Sequence, residues 1–175
     1  MRSAWMSRVA RAIAANGIRV VRFEFPYMAA KRKAPDREPV LLDSWREAIR
    51  AHAGAKKLFI GGKSMGGQMA SMVADEMKVH GLVCFGYPFH PPGRPDRLRT
   101  KHLETLVTPA LILQGTRDPF GTAEDVAGYQ LSPAIRVEWL EDGDHSFKPR
   151  ASSGVTEADN IARAVAAATN FMEQH

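Results

Sequence analysis

Seven consecutive residues, Gly61-Gly62-Lys63-Ser64-Met65-Gly66-Gly67, constrain this chain more than any other feature. A short apolar run at 57–61 leads into them, and Met65, Met69, Met72, Val73 and Met77 follow at helical spacing. A strand that turns straight into a helix through this many glycines needs a very tight reversal. The polar residue at its tip is then held in a strained backbone conformation.

The rest of the chain repeats the same alternation. Runs rich in β-branched and aromatic residues at 18–25, 57–61, 81–86, 109–114 and 135–140 read as buried strands. Between them, Leu41, Trp45, Ala48 and Ile49 mark one amphipathic helix, and the methionine stripe marks another whose methionines are packing residues. Trp5, Val9 and Ile13 recur at i+4 on a first helix that ends at Asn16-Gly17. A last helix spans about 156–174, with Ile161, Val165, Ala168 and Met172 on one face and Thr156 with Asp159 as a capping box. Strands alternating with helices predict an α/β fold, a mainly parallel sheet flanked by helices, over one domain of residues 1–175. The Pro-rich segments 26–39 and 88–95 follow strands, where open α/β sheets place ligand-binding residues.

Composition removes several classes of function. The single cysteine, Cys84, excludes an intramolecular disulfide framework and suits a reducing, cytoplasmic setting. No Cys/His cluster has zinc-ligand spacing, so no metal is expected. No apolar run approaches the roughly 18–20 residues of a membrane span. Residues 1–23 hold five arginines and no acid, as transit peptides do, but their helical periodicity favours folded structure. With 24 Lys+Arg against 19 Asp+Glu the net charge is +5. The basic patches Lys31-Arg32-Lys33 with Arg37, and Arg94, Arg97, Arg99 with Lys101, lack the interleaved aromatics of a base-stacking surface. Charge runs of this kind are usually solvated loops, and no nucleic-acid partner is expected.

The turn at 61–67 is a G-x-S-x-G motif in a strand-turn-helix setting. Gly62 and Gly66, two before and two after Ser64, are expected to fill its crowded places. The Met65 N–H, at the start of the helix, is placed to stabilise a developing oxyanion. A serine hydroxyl is a poor nucleophile at neutral pH and needs a base, which needs an orienting carboxylate. Asp118 follows the run at 109–114 and His145 follows 135–140, so both belong beyond strand ends on one rim. Asp142 and Asp144 compete for the acid, but they share a loop with His145 and are expected to face solvent or cap that loop. His90 and His102 compete for the base, although His90 sits in the rigid segment Tyr87-Pro88-Phe89-His90-Pro91-Pro92. Cys84, inside a strand, reads as a small buried hydrophobe. His52, His80 and His175 read as surface residues.

The segments Arg22-Phe23-Glu24-Phe25-Pro26-Tyr27-Met28, Gly61 to Gly67, Gly86 to Gly93, Gln114 to Gly121 and Asp142-Gly143-Asp144-His145 carry a family resemblance. The chain resembles the small bacterial α/β-hydrolases related to dienelactone hydrolase, within them most the family whose animal members include a testis-expressed protein and an NSL-complex subunit. The resemblance implies a three-layer α/β-hydrolase fold with Ser64 as nucleophile, Asp118 as acid and His145 as base. Members of that family begin with a strand ending in a His-Gly-Ala-Gly-like loop that supplies a second oxyanion N–H, and nothing before Trp5 matches it. Losing one such donor costs about 2.7–4 kcal/mol. An N-terminally truncated version of the fold is therefore expected. Its start would be internal to a longer gene product, in preference to direct pairing of 18–25 with 57–61 or a strand donated by a partner chain.

The expected activity is hydrolysis of a carboxylic ester or related small acyl substrate through an acyl-enzyme, without metal or organic cofactor. Tyr87, Phe89 and His90 are expected either to wall the substrate pocket or to belong to a loop packed for rigidity. An open sheet edge would allow a homodimer. The competing expectation is a non-catalytic interaction scaffold on the same fold.

Overall fold

In the computed structural model, which describes residues 3–175, four strands form one sheet in the order β1-β2-β3-β4, every neighbouring pair parallel. They are β1 (Phe59–Lys63), β2 (Gly81–Phe85), β3 (Ala110–Gly115) and β4 (Ile135–Leu140). The central strands β2 and β3 are buried along their whole length, as continuous apolar runs in parallel sheets are. The outer strands β1 and β4 are only partly buried, so the expectation that all the strands are buried holds for the centre alone.

Helices cover both faces. Leu82, Cys84, Ala110 and Ile112 point to one side, where α3 (Glu38–Arg50) and α4 (Met65–Val73) bring Leu41, Trp45, Ile49, Met69 and Val73. Val83, Phe85, Leu111 and Leu113 point to the other, against Val9 and Ile13 of α1 (Ala4–Ala14) and Ile161, Val165 and Phe171 of α6 (Glu157–Gln174). This alternation is the period-two signature of strands buried on both faces. α1 ends before Gly17, whose φ of 80° takes the left-handed conformation that glycine tolerates. α6 starts with a reciprocal capping box: Thr156 Oγ1 accepts from Asp159 N, and the Asp159 side chain accepts from Thr156 N. Two short helices, α2 (Pro26–Ala29) and α5 (Ala123–Ala127), complete the set.

One expected strand is absent from the sheet. Residues 18–23 form no regular element and, among the described residues, make no backbone hydrogen bond, and they do not pair with β1. Side chains hold the segment instead. Phe23 packs edge-on against both Phe25 and Trp45, and Ile18 and Val20 lie against the α1/α6 core. β-Branched and aromatic composition favours a pleated, half-buried surface but cannot form a ladder without a neighbouring strand in register.

Candidate active site

Ser64 lies between β1 and α4 with φ 52° and ψ −125°, a conformation rare for any residue with a side chain. Its N–H donates to Phe85 O at 3.0 Å, continuing the parallel ladder one step past β1 before the chain turns into the helix. The crowding at this turn differs in one place from expectation. A Cβ on Gly62 would stand 2.8 Å from Gly66 C, as the motif requires, but one on Gly66 would meet nothing within 4 Å. The second crowded position is Gly67, where a Cβ would lie 2.7 Å from Gly62 O and 3.1 Å from Cys84 Sγ. Gly66 contributes its main chain to the tight approach, while the direction its Cβ would take is open.

The chain brings Ser64, His145 and Asp118 together across 81 and 27 residues. His145 Nε2 is 2.9 Å from Ser64 Oγ, and His145 Nδ1 is 2.8 Å from Asp118 Oδ2. Asp118 is fully buried, and its oxygens also accept from Phe120 N at 2.9 Å and Gln114 Nε2 at 3.0 Å. A carboxylate that accepts at both oxygens makes Nδ1 the donor on His145. Nε2 is then free to accept the Ser64 hydroxyl proton. The Phe120 ring covers the imidazole, centroids 4.3 Å apart, and Gly86 leaves room for it: a Cβ there would be 3.0 Å from His145 O.

Met65 is the first residue of α4, so its N–H has no intrahelical acceptor, and no other acceptor is found for it among the described residues. Beside it opens a cleft of about 320 Å³ lined by Ser64 and Met65, with Pro35, Leu41, Met69 and Pro88 as apolar walls and Asp36, Glu38 and Arg99 as charged ones.

The residues expected to wall the pocket lie elsewhere. Tyr87 and Phe89 are 0% exposed and His90 is 3% exposed. All three turn inward, with Tyr87 and Phe89 in the core and their rings 4.8 Å apart. An aromatic-rich loop reads equally well as pocket wall or as core plug, and here it is the plug. Only its neighbour Pro88 reaches the cleft.

The competing residues have other partners. Asp142 does not face solvent: it is buried, accepts from Arg150 N at 2.7 Å and pairs with Arg117 and Arg150. The Arg150 side chain's hydrogen bond, against the opposing effect of burial, holds this carboxyl below its ordinary range. Asp144 caps its own loop, accepting from Ser146 N at 2.7 Å and Lys148 N at 3.0 Å. His90 donates from Nδ1 to Pro91 O at 2.9 Å. His102 Nε2 lies 2.8 Å from the hydroxyl of Ser71, a second Ser–His contact, but Ser71 is on the buried face of α4 and its hydroxyl donates to Gln68 O at 2.6 Å. Burial pushes the His102 imidazole down and the Cys84 thiol up. Among the described residues no group of three His, Cys, Asp or Glu side chains is gathered to hold a metal, and no helix is long and apolar enough to cross a membrane.

Three side chains around the site gave no sign of their place in the sequence. Gln114, Lys63 and Trp5 all touch the loops that carry Asp118 and His145. Only the flanking glycines, which mark where chain segments press together, hint that such contacts exist.

Known structures share this architecture. A serine hydrolase homologue from Coxiella burnetii superposes with a TM-score of 0.70 at 18% identity, covering 95% of this chain and 74% of that one. The esterase domain of a Rhodothermus marinus protein gives 0.69 at 16% identity, covering 97% and 80%. An α/β serine hydrolase without a lid from Xanthomonas campestris gives 0.73 at 20% identity, covering 99% and 74%. Such identities carry the fold alone. The family described as the alpha/beta hydrolase domain, however, matches residues 1–173, nearly the full length over which the sheet, the turn at Ser64 and the loops after β3 and β4 are laid out, and the chain belongs to it.

Proposed function

We propose that this chain is a serine hydrolase of one domain that cleaves a carboxylic ester or related acyl compound. The observation that carries the reading is the continuous relay from Ser64 Oγ through His145 to buried Asp118, at 2.9 Å and 2.8 Å. Ser64 Oγ attacks the acyl carbon while His145 Nε2 takes its proton. The tetrahedral oxyanion forms beside the Met65 N–H. His145 then returns the proton to the leaving alcohol, and water, deprotonated by the same nitrogen, releases the acid from the acyl-enzyme. Asp118 keeps the proton on Nδ1 and stabilises the imidazolium that forms. Small size, apolar walls and direct access to Ser64 suit the cleft to a short acyl group. Cys84, the only thiol, suits a reducing, cytoplasmic setting.

The Ser71–His102 contact supports no competing relay. Ser71 is 2% exposed in the middle of a helix, outside the cleft, and no carboxylate backs His102 among the described hydrogen bonds. A non-catalytic interaction scaffold is favoured by one observation, the unpaired backbone of residues 18–23.

Intact-mass labelling with a fluorophosphonate probe, alongside p-nitrophenyl acetate turnover, decides between the two. A single adduct that disappears in Ser64→Ala, together with the turnover, is the expected result. A folded native protein that takes no adduct would overturn the hydrolase reading in favour of the scaffold.

A further inference from the structure

Lys63 closes β1 with its side chain turned under the loop that carries His145. Its Nζ donates to the main-chain oxygen of His145 at 2.6 Å and lies 5.2 Å from the centre of the Trp5 ring. Trp5 Nε1 donates to the next carbonyl, Ser146 O, at 3.1 Å. Two consecutive carbonyls of the loop are thus held by one lysine and the indole that lies against it. Burial pushes the ammonium down, and the negative charges of Asp118 and Asp144 oppose that effect.

An ammonium on a flexible four-carbon stem normally reaches for water. Here it is half-buried beside the segment whose side chain must meet Ser64 on one nitrogen and Asp118 on the other. The groups facing this region come from five directions. Asp118 stands on the loop after β3, Asp144 and His145 on the loop after β4, Ser64 on the turn, Trp5 on α1, and Phe85 and Gly86 on β2 and its end. The two carboxylates attract Lys63 and so help to hold it under the loop.

We propose that Lys63 is the positioning residue of the base: it anchors the main chain at His145 so that both ring nitrogens stay in register. The inference rests on the hydrolase reading for its consequence in turnover, but the coupling of Lys63 to His145 can be measured without turnover.

The test compares the native protein with Lys63→Met, which removes donor and charge, and Lys63→Arg, which keeps both. In Lys63→Met, kcat for p-nitrophenyl acetate is expected to fall about tenfold with KM within about twofold. Lys63→Arg should restore kcat. The hydrogen-bonded Nδ1–H proton of His145, assigned by NMR through His145→Gln, should weaken or vanish in Lys63→Met and persist in Lys63→Arg. If Lys63→Met does not fold, Lys63→Leu, which also removes donor and charge, is read in the same way. A native kcat and Nδ1–H signal in Lys63→Met, or the same losses in Lys63→Arg as in Lys63→Met, would overturn the assignment. Absence of a fluorophosphonate adduct on the native protein would remove the hydrolase reading and leave the Nδ1–H signal to decide the role of Lys63.

Discussion

Gln114 ties Asp118 to the loop beyond β2: its Nε2 donates to Asp118 Oδ2 at 3.0 Å while its Oε1 accepts from Tyr87 N at 2.7 Å. The same amide also donates to Tyr87 O and Gly121 O, each at 3.2 Å. One fully buried side chain therefore sets the distance between the acid and the aromatic plug. Gln114→Leu would orphan Tyr87 N and leave Asp118 Oδ2 with His145 as its remaining partner. Each buried polar group left unpaired costs about 1–3 kcal/mol. Urea unfolding should show a loss in that range or above, and turnover should fall through kcat. An unchanged midpoint would mean that water takes over the contacts of Gln114.

The two glycines after Met65 should behave in opposite ways. Gly66→Ala has open space for its Cβ and a helix to sit in, so its stability should stay within about 1 kcal/mol of native. Gly67→Ala drives a Cβ against Gly62 O, and overpacking of this kind costs about 1–3 kcal/mol. Thermal unfolding of the pair gives the order directly, and the reverse order would refute the geometry of the turn.

Ser64 offers a test of backbone strain separate from its chemistry. Glycine is normally less stable than alanine within regular structure. At φ 52° the preference should invert, with Ser64→Gly more stable than Ser64→Ala by about 1 kcal/mol. Denaturant titration of the two variants measures the difference.

Asp75 gives a pH-dependent contribution whose sign is fixed. Burial pushes its carboxyl up, but hydrogen bonds from Thr108 Oγ1 at 2.6 Å, Val107 N at 3.0 Å and Thr108 N at 2.8 Å more than offset this and hold it below the ordinary range. A carboxyl depressed on folding stabilises fully above its unfolded value, and the contribution is lost as pH falls through the folded one. Asp75→Asn should therefore be less stable than native at neutral pH, with the gap closing on acidification. A gap that widens toward acid would contradict this account.

What the sequence revealed depended on how local each cause was. Four of the five expected strands form, because their apolar runs suit a sheet covered on both sides. Residues 18–25 carry the same composition and pair with nothing, since pairing depends on a neighbour that composition does not specify. Ser64, Asp118 and His145 were legible because a strained turn and strand-end loops leave marks in the sequence. Gln114 and Lys63 were not, because an amide and an ammonium in a sequence look like surface residues until the fold encloses them. Tyr87, Phe89 and His90 left two readings open, pocket wall or packed loop; their inward direction depends on contacts far away in the chain, such as those of Tyr87 with Gln114 and Ser71.

The strictly sequential sheet has a consequence for the nascent protein. β1, α4 and β2 are synthesised before the loops that hold Asp118 and His145, and 81 residues separate Ser64 from His145. At about 5–20 residues per second, a ribosome takes roughly 4–16 s to cover that interval. Throughout it the growing chain carries Ser64 without its His145 contact. That contact can close only when β4 docks at the sheet edge, so the last strand to be added also completes the cluster of Ser64, His145 and Asp118.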